Sequence, residues 1–517
     1  MTSPYRREET QNLRLTSLGK LHTLTFMRAY TPKLRRIYLL NGLPPEVVAV
    51  AFAKTSRSPE SFDVIAKELS EEKSAQFHEK WVVGYGHASV AEHAVLSIAI
   101  ENVSRYAVET IESNRLAAYT EKSSRYQIFT VNDFYVPEEI ENSSYRDLYI
   151  ETCTFLLENY HRVQSGLEQY VKENKLVPRK EGESDRGYDA RVRAFALDRS
   201  RFMLPIAALA NVGITINARS LEHAITKMLS SPLSEVRKIG ETLKEESRKA
   251  VPTLVKYANA SPYLSETWAA LEKLSQDHGL QNGAGSMTKE EGKISSPVAA
   301  RPSPNPESVT LLDYDPRAED KLVVALLYKF SHAPYRELQS AVEKMSAAEK
   351  ERVIEEALKR LGDFDTPLRE LEYISYTFDC LMDYGAYFDL KRHRMCTQTP
   401  QEPTIAHGFA LPSLIQKAGL EGGFLETIRR AESAYEQISR AFPREAKYLV
   451  LNAHYRRMLW QMNLREVHHV VRLRSKPQGH FTYRKVAQEI YKAVALVHPI
   501  LARYLDVNLE ELSVRPD

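Results

Sequence analysis

Three adjacent cationic side chains, Arg392, His393 and Arg394, are the residues of this sequence best suited to binding an anionic ligand. A run of small polar residues, 397–399, follows them. A guanidinium group offers several hydrogen-bond donors in one plane, and this geometry suits phosphate or pyrophosphate oxygens. Short basic runs are more often solvated surface, so the motif alone is a weak indication of an anion site.

An earlier stretch, Ser113–Tyr126, strengthens the indication because it resembles the region around the cationic motif. Placing Arg115 on Arg394 gives an offset of 279 residues, and the same offset places Ser113 on Arg392. The residues around Arg115 resemble those around Arg394. Similarity at a fixed offset is typical of an internal duplication.

A second pair of similar segments, 217–228 and 463–474, supports the same interpretation. In the first of them the arginine and the histidine stand four residues apart, which places them on one face of a helix. Such a pair is also found on hydrated helix flanks, so its position alone assigns no ligand. The matched residues are Asn217 and Asn463, Arg219 and Arg465, and His223 and His469.

The chain between the two similar regions has a different composition. Residues 276–308 are rich in glycine, serine and proline and show no apolar periodicity, which predicts a flexible linker. We therefore expect one domain at 20–275 and a second at 309–510. Both are expected to be α/β domains of the same type, which gives an α+β fold of two tandem copies.

Apolar spacing predicts the elements that carry these motifs. Leu96, Ile98 and Ile100 alternate with small or polar residues, which predicts a half-buried strand ahead of Ser113. Residues 36–40 are predicted to form another strand, and residues 200–228 are predicted to be helical.

Composition excludes several classes of protein. The 517 residues carry 70 basic and 68 acidic side chains, a balance that argues against nucleic-acid binding. Cys153, Cys380 and Cys396 are far apart and fit a reducing compartment. No signal region or membrane-spanning apolar run is predicted, so we expect a soluble, cytoplasmic protein. His87 and His93 lack the spacing of a zinc motif, so no metal site is expected.

With both motifs considered, the two copies resemble the flavin-dependent thymidylate synthase (ThyX) family. The signature of that family is R-H-R-x-x-S, closely followed by N-E-x-S-x-R-Y. The second copy keeps Arg392-His393-Arg394, whereas the first has Ser113-Asn114 at the first two of these positions. The first copy keeps the later half of the signature, and the second departs from it. The retained residues are Glu121, Ser123, Arg125 and Tyr126, and the departures are Pro400, Glu402 and Thr404.

Other family motifs are divided in the same way. The motif H-x-S-x-x-E-H is present only in the first copy, at His87, Ser89, Glu92 and His93. The family arginine before an L-P pair is Arg201 in the first copy and Lys447 in the second. The arginine that ends N-x-R-x(8)-R is Arg474 in the second copy, where the first copy has Met228.

The resemblance implies reductive methylation of dUMP to dTMP, with bound FAD and with methylenetetrahydrofolate and NADPH as co-substrates. It implies that residues of both copies complete one dUMP pocket and that a homodimer imitates the family's tetramer. Arg474 and Ser123 are then the catalytic candidates. The residues implied for dUMP are Glu121, Ser123, Arg125, Arg201 and Arg474. Those implied for FAD are His87, Ser89, Arg115, Asn217, Arg219, His223, Arg392, His393, Arg394, Asn463, Arg465 and His469.

Two other functions stay open at this point. A divergent relative that binds flavin or a nucleotide without making dTMP is favoured by the altered residues Ser113-Asn114 and by the departures in the second copy. A nucleic-acid-binding or scaffolding protein is the third class, and the balanced charge argues against it.

Overall fold

The computed structural model describes residues 37–40, 42–56, 58–84, 88–280 and 308–510. The chain divides into two compact units, Met1–Gly42 and Leu43–Asp517. In the first unit the described residues, 37–40 and 42, form no helix or strand. All elements given below belong to the second unit.

The first half of this unit contains one small sheet and a set of helices. Its strands are β1 (Val95–Ser104), β2 (Ala117–Glu121) and β3 (Leu209–Asn217). Its helices are α1 (Pro45–Lys54), α2 (Phe62–Lys67), α3 (Glu71–Phe77), α4 (Arg105–Ile111), α5 (Glu138–Glu141), α6 (Arg146–Glu173), α7 (Asp185–Ser200), α8 (Ala218–Leu229), α9 (Ser234–Ser247) and α10 (Pro262–Asp277). A π-helical segment, His78–Gly84, and two 3-10 segments, Ala88–His93 and Arg201–Met203, lie between them.

The second half contains a four-stranded sheet and a further set of helices. Its strands are β4 (Val309–Tyr314), β5 (Ser375–Asp383), β6 (Thr397–Pro400) and β7 (Tyr455–Asn463). Its helices are α11 (Ala318–Tyr328), α12 (Tyr335–Glu343), α13 (Ala347–Leu358), α14 (Tyr384–Leu390), α15 (Ser413–Lys417), α16 (Glu421–Ser439), α17 (Leu464–Arg474), α18 (Phe481–Val497) and α19 (Pro499–Ala502). Two 3-10 segments are Arg369–Tyr373 and Glu445–Leu449.

Both sheets are antiparallel, with strand order β1-β3-β2 in the first and β4-β5-β7-β6 in the second. The order β1-β3-β2 corresponds to β5-β7-β6, and β4 is an additional edge strand of the second sheet. Val95 lies opposite Asn217 in the first sheet, and Ser375 lies opposite Asn463 in the second. Burial alternates along β3 and over much of β7, so one face of each sheet packs on helices and the other is more open to solvent. Strands β3 and β7 therefore occupy matching positions in the two halves.

In each sheet a polar N-cap residue joins a strand directly to the next helix: Ser104 joins β1 to α4, and Asp383 joins β5 to α14. The Ser104 hydroxyl accepts a hydrogen bond from the Ala107 amide at 2.9 Å, and it begins α4 immediately after β1. Asp383 does the same for α14, accepting from the Ala386 amide at 2.8 Å. Helices α4 and α14 are each seven residues long, and the short loops that follow them lead into β2 and β6. These loops carry the two motifs found in the sequence.

The two halves pair through their main chains in a reciprocal arrangement. Pro205 lies opposite Leu451 in an antiparallel bridge. On either side of it, four bonds of 2.8–3.0 Å run in both directions: Ile206 N to Val450 O, Asn452 N to Leu204 O, Ala207 N to Tyr448 O, and Ala453 N to Phe202 O. The residues that exchange bonds hold the same positions in their own halves, just ahead of β3 and β7. The halves are thus related by a local pseudo-twofold axis near the bridge between Pro205 and Leu451.

Two secondary-structure predictions fail. Residues 200–228 are not a continuous helix, because Leu209–Asn217 is the central strand β3. The alternation of Val212, Ile214 and Ile216 within this segment is the signal of a strand. The strand predicted at 36–40 is not present at residues 37–40, and Arg36 lies outside the described residues. The strand predicted around Ile98 is confirmed as β1.

One apolar core runs through both halves. Its buried members include Ile214 and Ile216 of the first sheet and Phe378 and Trp460 of the second. In the part of the chain that is described, no helix is long and apolar enough to cross a membrane. Nor does any group of three His, Cys, Asp or Glu side chains in these same ranges come together as a metal site would require.

Candidate functional site

A buried carboxylate, Glu121, joins arginines of the two halves. It is the last residue of β2, and its side chain has no solvent exposure. Arg105 of α4 approaches one of its oxygens, with Nη1 3.2 Å from Oε1. Arg392 of the second half approaches the other, with Nη2 2.8 Å from Oε2. Glu121 therefore holds two guanidinium groups at the boundary between the halves.

A second acidic residue, Asp389, lies where four arginines converge. Burial alone would raise the pKa of Asp389, but the positive charges of Arg201, Arg392, Arg474 and Arg125 lower it below its usual value. Two of these arginines come from the first half and two from the second. Positive charge from both halves of one chain is therefore concentrated around Asp389.

Arg201 is the most deeply buried member of this group and contacts Asp389 directly. Its Nη1 and Nη2 atoms lie 3.5 and 3.4 Å from Asp389 Oδ2. Its buried Nε has no hydrogen-bond partner among the described residues, and neither does the buried Nε of Arg105. Burial also raises the pKa of the neighbouring Asp383 to about 6, although Arg201 opposes that shift. Buried donors without acceptors are costly, which is the situation expected where a ligand is to be bound.

Arg125 is held by a carboxylate of its own half and by two groups of the other. Its Nε and Nη2 donate to the two Asp198 oxygens at 2.7 and 3.2 Å. Nη1 lies 3.4 Å from the Tyr483 hydroxyl, and Nη2 lies 3.2 Å from the Gln478 carbonyl. Ser123 is adjacent, and its Oγ accepts from the Arg125 amide at 3.3 Å. The first half thus supplies the loop, and the second half supplies the surface against which it rests.

Arg474 lies at the end of α17 and contacts the same tyrosine, Tyr483. Its guanidinium carbon is 5.4 Å from the centre of that ring, so Arg125 and Arg474 contact one tyrosine within a single chain. Arg474 Nε lies 2.8 Å from His393 Nε2. Because arginine can only donate, His393 accepts at Nε2, and its Nδ1 donates to Glu466 at 3.0 Å. Burial lowers the pKa of His393, in keeping with this neutral form.

The two other arginines of the motifs, Arg115 and Arg394, each donate hydrogen bonds to the opposite half of the chain. Arg394 Nη1 donates to the Asn114 and Arg115 carbonyls at 2.7 and 2.8 Å. Arg115 Nη2 donates to the Cys396 carbonyl at 2.7 Å. Both arginines therefore hold the opposite loop in place, in addition to any role toward a ligand.

The other residues expected for FAD are spread over both halves. Asn217 and Asn463 cap α8 and α17, which gives their match in the sequence a structural explanation. Arg219 pairs with Glu92, and Arg465 pairs with Glu372. The remaining residues lie as follows: Ser89 is exposed in a 3-10 segment, His223 is exposed on α8, the His469 ring is 5.1 Å from the His393 ring, and His87 lies outside the described residues.

The corresponding place on the other side of the pseudo-twofold axis has a different charge balance. Lys447, at the position equivalent to Arg201, lies 3.2 Å from Glu402, which also accepts a bond of 2.9 Å from the Tyr106 hydroxyl. Arg456 lies 2.6 Å from Glu109. Among the described side chains, two cations here meet two carboxylates. The first place has five arginines with four carboxyl groups: Arg105, Arg125, Arg201, Arg392 and Arg474 with Glu121, Asp198, Asp383 and Asp389. The ion pair of Lys391 and Glu112 borders both places and adds no net charge to either.

Several of these groups were not found from the sequence. Asp198 and Asp389 each stand three residues before a site arginine, Arg201 and Arg392. That spacing on a helix places both side chains on one face, and the repeated D-x-x-R pattern could have signalled them. Arg105 offers no comparable signal, because its partner Glu121 is distant along the chain and reaches it only through folding.

Comparison with known proteins gives the following matches. The family model Thy1, described as thymidylate synthase complementing protein, matches residues 38–253 and 310–500. A UPF0159 protein of Chlamydia muridarum (strain MoPn / Nigg) is 30% identical over 495 residues, covering 91% of each chain. A flavin-dependent thymidylate synthase of Clostridium tetani is 30% identical over 230 residues, which cover 44% of this chain and 87% of that protein. A crystal structure of thymidylate synthase X from Helicobacter pylori with FAD and dUMP covers 39% of this chain and 99% of its own, with 16% identity and a TM-score of 0.30.

Proposed function

Because the chain belongs to the ThyX family of flavin-dependent thymidylate synthases, we propose that it catalyses the reductive methylation of dUMP to dTMP. In this proposal methylenetetrahydrofolate supplies the carbon and NADPH supplies the reducing equivalents, in the cytoplasm. The two regions matched by the family model are proposed to be tandem copies of one domain. The observation that carries the proposal is the convergence of arginines from both halves around Asp389.

The charge of this cluster supports an anionic substrate. Five guanidinium groups accompany four carboxyl groups, and the buried Nε atoms of Arg105 and Arg201 lack acceptors within the described residues. A nucleoside monophosphate would supply both the missing negative charge and the missing acceptors. In the proposal Arg201 and Arg474 hold the phosphate, while Ser123 and Arg125 lie beside the base. Cationic groups there would stabilise charge that develops on the pyrimidine ring.

The residues expected for FAD are compatible with that cofactor. The side chains of Arg219 and Arg465 are 52% and 31% exposed, and each pairs with a partly exposed carboxylate. Arg465 Nε also donates to the Pro367 carbonyl at 2.9 Å. Surface ion pairs contribute little stability, so a pyrophosphate could replace either carboxylate as the partner. His393 and Arg394 would face the cofactor near the substrate. FAD, when bound, supplies the redox chemistry, and the protein orients the reactants.

One competent site per chain follows from the charge balance. At the equivalent place Lys447 and Arg456 are already paired with Glu402 and Glu109, so a phosphate there would displace a carboxylate without gaining a free cation. We further propose that two chains form a homodimer that imitates a four-domain assembly. Each sheet leaves apolar side chains exposed: Val95 of β1 is 51% exposed, Leu312 of β4 is 55% exposed and Leu459 of β7 is 44% exposed. A second copy of the chain would cover such faces.

A second candidate function is favoured by one specific observation. The donors of Arg125 already bind Asp198, Tyr483 and Gln478, so this arginine would have to exchange partners before it could bind a ligand. A divergent relative that binds flavin or a nucleotide without making dTMP would tolerate that arrangement.

The test is to incubate the purified protein with FAD, dUMP, methylenetetrahydrofolate and NADPH and to measure dTMP. Formation of dTMP that depends on all four supports the synthase. Flavin binding and dUMP binding without dTMP would favour the divergent relative. Protein that binds neither flavin nor dUMP would contradict both functions.

A further inference from the structure

Two buried residues of opposite charge, Glu112 and Lys391, meet where the halves join. Lys391 Nζ lies 2.8 Å from Glu112 Oε2, and each side chain is only 6% exposed. Lys391 Nζ also lies 3.5 Å from the Val108 carbonyl. The proposed dUMP and FAD contacts use neither residue.

These two residues hold the same position in their own halves. Glu112 directly follows α4, and Lys391 directly follows α14. Each stands three residues before an arginine, Arg115 or Arg394, that crosses to the opposite loop. Equivalent residues touch each other only on a twofold axis, so this pair lies on the same pseudo-twofold axis as Pro205 and Leu451.

A contact on such an axis discriminates between like and unlike partners. Two first halves paired in this way would bury Glu112 against Glu112, and two second halves would bury Lys391 against Lys391. Like charges in a buried site repel strongly, and each is left without a counter-ion. Only the pairing of a first half with a second half brings opposite charges together.

We infer that Glu112 and Lys391 form a pairing contact that directs each half of this protein to join the unlike half and disfavours association of like halves. The partner that this surface fits is therefore the other half of the same polypeptide. The inference rests on the positions of the two residues and is independent of the reaction proposed above.

The charges around Glu112 and Lys391 determine how an exchange of these two residues should affect stability. Although burial raises the pKa of Glu112, it is lowered overall by Lys391, Arg392 and Arg105. A lysine at position 112 would thus meet those two arginines as well as Lys391. Reversal of both charges should therefore restore the contact only in part.

The experiment is a cycle of variants of the full chain, measured by thermal unfolding. Glu112→Lys reproduces the contact of two second halves, and Lys391→Glu reproduces that of two first halves. Each should lower the melting temperature by roughly 3–5 °C, the range expected for breaking a buried ion pair in a chain of this length. The neutral variants Glu112→Gln and Lys391→Met should lower it less. The double variant Glu112→Lys/Lys391→Glu should recover at least half of the loss.

Other results have defined meanings. If the single charge-reversal variants do not accumulate as folded protein, soluble folded protein from the double variant supports the inference equally. A double variant that is no more stable than the weaker single variant would overturn it. Charge-reversal variants that are no worse than the neutral ones would overturn it as well, because repulsion would then have no role.

Discussion

Replacing Arg474 by alanine should weaken dUMP binding without unfolding the protein. Arg474 ends α17, and its guanidinium group faces Tyr483 and His393 in a partly buried setting. A hydrogen bond from an arginine to a phosphate is charge-assisted, and its loss leaves the anion short of one partner. The expected loss is roughly 2–3 kcal/mol, about a 30–150-fold increase in Kd.

Calorimetric titration of dUMP into the purified protein, without folate or NADPH, measures this change directly. Arg472→Ala is the matched control, because Arg472 lies on the same helix but contacts Asp506 at 3.5 Å and the Gly362 carbonyl at 3.3 Å. The control should leave the Kd for dUMP within about twofold of wild type, as expected for an arginine outside the pocket. Inorganic phosphate added as a competitor should weaken dUMP binding in the wild type and have less effect in Arg474→Ala.

One result would refute the reasoning. If Arg474→Ala binds dUMP as tightly as Arg472→Ala and both remain folded by circular dichroism, Arg474 is not part of the substrate pocket. The arginine cluster would then serve stability, and the divergent relative would become the better interpretation.

Four further predictions follow from the same geometry. Asp389→Asn removes an anion from the arginine cluster and should tighten dUMP binding at least about fivefold by calorimetry; weaker binding would mean that Asp389 itself contacts the ligand. Asp383→Asn keeps an N-cap but removes a carboxyl group whose pKa burial raises to about 6, so a stabilisation that is present below about pH 4 and lost as the pH rises through 6 should be missing from its melting curves. Co-expressed chains carrying Arg125→Ala or Arg474→Ala should not restore activity, because both residues contact Tyr483 of one chain; restored activity would show a site formed between chains. Light scattering should give a dimer, and calorimetry should give two dUMP sites per dimer; four equal sites would contradict the neutral charge balance around Lys447.

Local patterns predicted part of the fold. The alternation of Leu96, Ile98 and Ile100 gave β1 because it is a property of adjacent residues. The helical spacing near the end of Ser200–Met228 does not indicate β3, because this segment combines a 3-10 segment, a strand and almost all of α8. Boundaries between elements depend on caps such as Asn217, which are read more easily once the strand before them is known.

The candidate site was less predictable than the fold. The motif residues Arg125, Arg392 and Arg474 stood out by type and spacing, but their partners did not. Asp389 acquires its role by packing against Arg201 of the other half, 188 positions away along the chain. Such a contact follows from the pairing of the halves, and no periodicity within either half encodes it.

The main-chain junction between residues 202–207 and 448–453 has a consequence for how this protein tolerates change. Its four hydrogen bonds use amide and carbonyl groups alone, so they do not depend on which side chains stand at those positions. Substitutions at those positions can then accumulate without removing the bonds that align the two halves. A main-chain junction of this kind allows one pocket to become adapted to a ligand while the equivalent pocket becomes occupied by ion pairs. It also makes the chain a suitable scaffold for engineering the two pockets separately.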